Sequence, residues 1–250
     1  MTKIGIGQPC KKNDFVYLQI TNGLMEFHKI YNKGQAQLFK NHYLEYLTKT
    51  HPLVIWGLYL PVLILLPYYS VKGLEYSGLN TFLLFLTGVF FWTFTEYILH
   101  RFAFHYHPGS ERGKRINYVM HGNHHEYPRD KERLFMPAAP SLIIASIFFL
   151  TFHLIIGKNV FAFFPGFMLG YLIYGSMHYA IHAWNPPFKW MKGLWRNHHL
   201  HHYKHSDMGF GVSSTLWDHV FGTMFDLSKE KEDKEKVQSL MFERKPNQGM

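Results

Sequence analysis

Four stretches of the chain are almost free of charge: residues 53–69, bounded by Pro52 and Lys72; 79–99, in which Glu96 is the single charged residue; 142–156; and 160–180. A helix needs about 20 apolar residues to cross a bilayer. The second and fourth stretches reach that length, and the first just does. The third is short, so it pairs with the fourth as a hairpin that either spans or enters and returns. Gly157-Lys158-Asn159 is tight enough for both. The pattern predicts an all-α integral membrane protein with about four transmembrane helices, arranged as two helical hairpins. Residues 1–51 are polar with scattered apolar positions and predict a membrane-surface helix around 38–47. From Ser228 onward SKEKEDKEKVQ is a mixed-charge run that reads as a solvated helix or disordered tail. The expected organisation is therefore an N-terminal segment 1–51, a membrane-embedded domain 52–227 and a charged tail 228–250.

The distribution of charge orients these segments. Lys and Arg number 7 before the first stretch, 7 between the second and third, and 10 after the fourth. The two opposite connections hold one each, Lys72 and Lys158. Basic loops face the cytosol, so both termini and the segment between the second and third stretches are expected there. The net charge of +9 belongs to this asymmetry rather than to nucleic-acid binding, for which no motif is present. The mean hydropathy of −0.14 averages two populations and would mislead if taken alone. Aromatic residues at 18% suit rings packed in or near a bilayer. Cys10, the lone cysteine, excludes an internal disulfide, and the first residues lack the pattern of a cleaved signal peptide.

Eighteen histidines are a large excess, and ten of them fall in order. His100 and His105 (HRFAFH) follow the second apolar stretch, and His121, His124 and His125 (HGNHH) lie in the next loop. His178 and His182 (HYAIH) close the fourth stretch, and His198, His201 and His202 (HHLHH) come shortly after. Residues three or four apart share a helix face, so His178 and His182 can converge, as can His198 with His201 or His202. Adjacent histidines on a helix point about 100° apart, which one ion could hardly collect. Ten rings thus suggest two ions with five ligands each, all on the cytosolic face. The H-x4-H spacing of His100 and His105 does not repeat on an α-helical face, so the helix is expected to end or loosen around 102–104. Imidazole suits zinc, copper, iron or nickel. The absence of motif cysteines argues against a four-ligand structural zinc site, and redox chemistry fits better than zinc hydrolysis. The other eight histidines, His28, His42, His51, His107, His153, His199, His205 and His219, fit no motif.

Weaker candidates surround these motifs. Glu96 lies one helical turn before His100 inside the membrane, where a carboxylate is a functional candidate, and it could orient a ligand by a hydrogen bond. Asp130 and Arg133 read as a solvated ion pair of little weight. Tyr127, Tyr179 and Tyr203 adjoin ligands and read as packing residues.

The histidine motifs resemble the fatty acid hydroxylase superfamily, and the connecting residues look most like its fatty acid 2-hydroxylase branch. The stretches HGNHHEYPRDKERLFMPAAP (121–140), LGYLIYGSMHYAIH (169–182) and HHYKHSDMGFGVSSTLWDHVFGT (201–223) carry the resemblance, which covers about 96–223. It implies a non-haem di-iron monooxygenase that uses O2 to hydroxylate a fatty acyl chain at the 2-position, with the ten motif histidines as metal ligands. Zinc is able to replace iron on purification. Residues 1–51 are too short for the fused cytochrome b5 domain of several relatives, so a separate electron donor of cytochrome b5 or ferredoxin type is expected. The resemblance implies a lipid or fatty acyl substrate and the endoplasmic reticulum or bacterial inner membrane as location. Sterol or sphingoid-base hydroxylation and acyl desaturation are alternatives, and a metal transporter is a non-enzymatic one. A transporter would place its ligands near the bilayer midplane rather than at helix ends.

Overall fold

The computed structural model describes residues 14–21 and 24–226; the charged tail expected at 228–250 lies outside them. Two strands, β1 (Asp14–Thr21) and β2 (Leu24–Tyr31), pair antiparallel with Thr21 opposite Leu24. This hairpin is an addition to the all-helical expectation. The sequence carries a signal for it, alternating apolar residues on either side of Asn22-Gly23. A short helix, α1 (His42–Tyr46), follows with Asn41 as its cap, inside the stretch expected to lie on a surface.

Two long helices come next. Pro52 at the first helical position and the His51 ring, which accepts from the Leu53 amide, start α2 (Pro52–Lys72). Ser77 caps α3 (Gly78–Ile98) by accepting from the Asn80 amide at 3.1 Å. Beyond α3 the chain forms short helices α4 (Glu111–Asn117) and α5 (Asn123–Glu126). An apolar pair follows, α6 (Ala138–Ile156) and α7 (Val160–Ala183), and then α8 (Lys192–Tyr203) and α9 (Leu216–Val220). Among the described residues three helical stretches are long and apolar enough to cross a membrane: Pro52–Lys72, Gly78–Phe104 and Lys131–Ala183. The last folds back on itself at Gly157, whose φ of +57° is open to glycine at no steric cost. Phe149 then packs on Phe164 (5.2 Å) and Phe152 on Phe163 (5.1 Å). At 19 residues α6 is longer than the apolar run suggested, because Ala138–Ser141 joins its first turn.

α7 is the central helix. Fifteen of its 24 residues are buried, against three of 21 on α2, whose Leu53, Val54, Leu60, Ile64 and Leu65 are exposed as they would be toward lipid. It runs parallel to α3 at very close range: a Cβ on Gly166 would sit 1.9 Å from the Phe85 carbonyl oxygen, and one on Gly88 2.1 Å from that of Phe163. Small residues at such crossings let helix backbones meet without a hydrophobic drive. α2 lies antiparallel to α7, with Trp56 Nε1 donating to Ser176 Oγ (3.0 Å) and Tyr69 against Phe161 (5.1 Å). These contacts bring the C-termini of α3 and α7 and the N-termini of α2 and α6 to one end of the bundle. There α4, α5, α8 and α9 form a cap.

Candidate metal centre

Between α3 and His105 the backbone widens into a π-helical turn, Leu99–Phe104, and the His105 amide bonds the His100 carbonyl at 3.2 Å. An i to i+5 bond adds one residue per turn, which brings an H-x4-H pair onto one face. This is the physical form of the expected loosening. A second π-turn, Tyr118–Gly122, carries His121 into α5, which holds His124 and His125. His178 and His182 lie one turn apart at the end of α7, and α8 supplies His198, His201 and His202.

The ten side chains gather in two groups of five. His100, His105, His121, His125 and His201 form one; His124, His178, His182, His198 and His202 form the other, with the ligand atoms of each group within 4.8 Å of one another. Each adjacent pair, His124/His125 and His201/His202, is divided between the groups. Within the second group Nε2 of His178 lies 2.8 Å from that of His124, and Nε2 of His198 lies 2.9 Å from His182 and 3.1 Å from His202. Within the first, His121 Nε2 is 3.2 Å from His100 and 3.0 Å from His125. Two nitrogens bound about 2.1 Å from one ion at right angles stand about 3 Å apart. The spacing therefore fits a common metal ion at each group.

Protonation is arranged for the same end. His100, His178 and His201 donate their Nδ1–H to the carbonyls of Phe210 (2.5 Å), Leu134 (3.2 Å) and Met208 (2.7 Å). A carbonyl only accepts, so the proton sits on Nδ1 and Nε2 offers its lone pair to the centre. Nε2 of His201 and of His105 are buried without a protein partner, as open ligand positions would be. Burial, reinforced by neighbouring histidines, holds His105, His121, His124, His125, His198, His201 and His202 well below the usual imidazole range. They are neutral at pH 7, the state a metal needs.

The remaining histidines stay outside both groups. His42, His51, His107, His153, His205 and His219 are exposed; His28 lies where side chains are not described. His199 is buried, but its Nδ1 bonds the Trp195 carbonyl at 2.6 Å, and burial lowers its pKa to about 4.

Glu96 is placed differently from a carboxylate that touches a ligand ring. Its Oε1 accepts from the backbone amides of Val212 (2.7 Å) and Ser213 (2.9 Å), and its Oε2 from the Ser213 hydroxyl. It pins the loop whose Phe210 carbonyl receives His100. Asp218 pins the same loop from the other side, accepting from the amides of Phe210 (2.9 Å) and Gly211 (2.8 Å) and from the Thr223 hydroxyl (2.7 Å). Sequence reasoning did not single out Asp218 or the three carbonyl acceptors. A backbone carbonyl has no sequence signal, and for Asp218 the available one was its place in the WDHVFGT stretch.

The pair of Asp130 and Arg133 is a correction to the expected solvated contact. Both side chains are 4% exposed, and Arg133 bonds Asp130 at 2.5 Å, Glu45 of α1 and, through Nε, Thr48 at 3.1 Å. Residues 85 or more positions away bury it, which local sequence cannot show. Tyr127 stacks on Tyr31 (5.0 Å), Tyr179 meets Trp184 (5.4 Å) and Tyr203 donates to Asn32 (2.6 Å), so all three pack as expected.

A cavity of about 630 Å³ is lined by His121, His124 and His178, by apolar residues of the bundle, and by the exposed Leu44 of α1 and Leu47 just after it.

A bundle of membrane-length helices, capped by two five-histidine groups able to take metal ions, defines a histidine-rich integral membrane protein. More particularly, the chain belongs to the fatty acid hydroxylase family, whose family model matches residues 85–223. It is similar to the ceramide very long chain fatty acid hydroxylase SCS7 of Saccharomyces cerevisiae, 41% identical over 198 residues that cover 77% of this chain and 50% of that one. The dihydroceramide fatty acyl 2-hydroxylase FAH1 of Arabidopsis thaliana is 35% identical over 78% of this chain and 82% of its own length. The human fatty acid 2-hydroxylase is 39% identical over 56% of this chain. The chain thus spans about half the length of the yeast relative and 39% of the human one. Among solved structures, full-length Scs7p, in which only the hydroxylase domain is visible, matches with a TM-score of 0.72 and 38% identity. That match covers 77% of this chain and 73% of the other.

Proposed function

We propose that the chain is an O2-dependent monooxygenase that hydroxylates a fatty acyl chain, at the 2-position, with two iron ions held by the two histidine groups. The observation that carries this reading is the cavity. It joins three of the ten histidines to an apolar channel inside the bundle, where an acyl chain would leave lipid contacts for equivalent protein ones. The metals would supply dioxygen activation. Hydroxylation puts one oxygen atom into a C–H bond and reduces the other to water, so it consumes two electrons and two protons. A separate donor of cytochrome b5 or ferredoxin type supplies the electrons. Zinc is able to occupy the same nitrogen sites after purification, since affinity does not follow function.

The protein's own contribution is positional. The carbonyls of Phe210, Leu134 and Met208 fix ring tautomers, Glu96 and Asp218 hold the loop that bears two of them, and the apolar wall excludes water. The membrane-embedded unit is 52–227, with the histidine groups and both termini on the cytosolic side of the endoplasmic reticulum or a bacterial inner membrane. Names of relatives that act on fatty acids, ceramide and dihydroceramide favour an acyl substrate over a sterol.

Lipids extracted from cells with and without the chain, analysed by mass spectrometry, test the reading. A 2-hydroxy acyl product dependent on the chain supports it. A double bond instead would make the protein a desaturase, and no lipid change in cells that contain a suitable reductase would remove the enzymatic reading.

A further inference from the structure

The channel has a floor. One face of α7 lines it from His178 through Gly175, Tyr174, Tyr171 and Met168 to Phe167, and the antiparallel α6 lines it down to Phe148. Below that level the rings close on one another. Phe148 lies 5.1 Å from Phe167, Phe152 lies 5.0 Å from Phe167, and Phe163 lies 5.1 Å from Phe152. Phe167 is 1% exposed and Phe152 and Phe163 are buried, so the plug is part of the core and leaves no continuation of the channel along these helices. Its walls are mostly apolar. Tyr59 and Ser141, whose oxygens are 2.7 Å apart, and Tyr171 beside them satisfy one another's hydroxyls within the wall. The indole N–H of Trp92, which also lines the channel, is buried without a protein partner.

Depth then becomes chain length. From His178 to Phe167 the helix rises about 16 Å at 1.5 Å per residue. An extended saturated chain advances about 1.25 Å per carbon, from C–C bonds of about 1.5 Å at tetrahedral angles, so about 13 carbons fit. Away from the floor the cavity is also lined by Thr48 and Arg133, which bond each other beside α1, so the polar end of the substrate belongs there and the methyl end at the floor. We propose that Phe167 and Phe148, backed by Phe152 and Phe163, act as a length stop that selects saturated acyl chains of about 15 carbons in all, about 13 below the level of His178 plus the carboxyl carbon and its neighbour above it. The assignment rests on the proposed acyl substrate and adds the residues that set its length.

Displacement of a fluorescent fatty acid from the detergent-solubilised, metal-loaded full chain, by unlabelled saturated fatty acids of increasing length, reads the stop without turnover. Each buried methylene strengthens binding about fourfold, so affinity should climb with length and level off at about 15 carbons. Phe167→Ala should move that break up by about three carbons, the depth of the ring removed. Ala145→Phe, which thickens the wall above the floor, should move it down and serves if the alanine variant does not fold. Leu154→Ala, on the outer surface at 86% exposure, should leave it in place. Affinity that climbs without a break, or a break unmoved by both channel variants, would overturn the stop. A break that shifts as described, in a protein that forms no hydroxylated lipid, would uphold the stop and remove the monooxygenase reading.

Discussion

Nε2 of His124 and Nε2 of His178 lie 2.8 Å apart although 54 residues separate them. Two ring nitrogens that close, each in a neutral imidazole, are arranged for a shared electrophile rather than for each other. Metal analysis of fully loaded protein should therefore give two ions per chain. His182→Ala and His121→Ala, one in each group, should each lower metal content. They should cut hydroxylation by more than about 100-fold, since even the partners of ligands contribute 10–100-fold. His153→Ala and His219→Ala, exposed and outside both groups, should keep the metal and most activity. Equal losses across the two pairs would mean the partition of histidines is wrong.

Glu96 should act through geometry rather than charge. Glu96→Gln keeps an oxygen for the Val212 and Ser213 amides and should retain most metal. Glu96→Leu strands those donors in a buried site, frees the loop that orients His100, and should weaken metal binding by about 10–100-fold. If both variants behave alike, the loop is not what Glu96 controls.

Arg133 should matter for stability. Arg133→Met leaves Asp130 and Glu45 without their shared cation and should cost about 3–5 kcal/mol, the usual consequence of breaking a buried pair. Lys114→Met, whose partner Glu111 is 87% exposed, should change stability by less than about 0.5 kcal/mol. Denaturant unfolding of both variants in detergent compares them directly.

Acid should unfold the metal-free protein early. His105, His121, His124, His125, His198, His201 and His202 have folded pKa values below the unfolded value of about 6.5, with burial as the main cause. Above that pH both states are neutral and stability is fully present. As pH falls below it the unfolded chain takes up protons that the folded one refuses, and each refused proton costs about 1.4 kcal/mol per pH unit. The melting temperature of stripped protein should be flat above about pH 7 and drop steeply below about 6.5. A curve that stays flat to acid pH would show that the cap opens to water.

Topology can be checked with cysteines in a chain whose Cys10 has been replaced. A cysteine at Ser110, in the cap, should react with an impermeant reagent only after the membrane is opened. One at Ser77, at the start of α3, should react in intact cells. Reaction of both from the same side would break the orientation drawn from the basic residues.

Spacing along the chain determined the apolar helices, the ten histidines and the division of adjacent rings between two centres, because these follow from helix periodicity and from runs of residue type. The near-perfect separation of basic loops told which ends should share a side before any contact was known. Tertiary structure alone decided that His198 joins His202 rather than His201, that a π-turn brings His105 round to His100, and that Glu96 and Asp218 grip one loop. It alone buried Arg133 and shaped the channel with its phenylalanine floor. Each of these depends on groups far apart in sequence or on backbone carbonyls that every residue possesses, and such pairings exist only once the helices have packed.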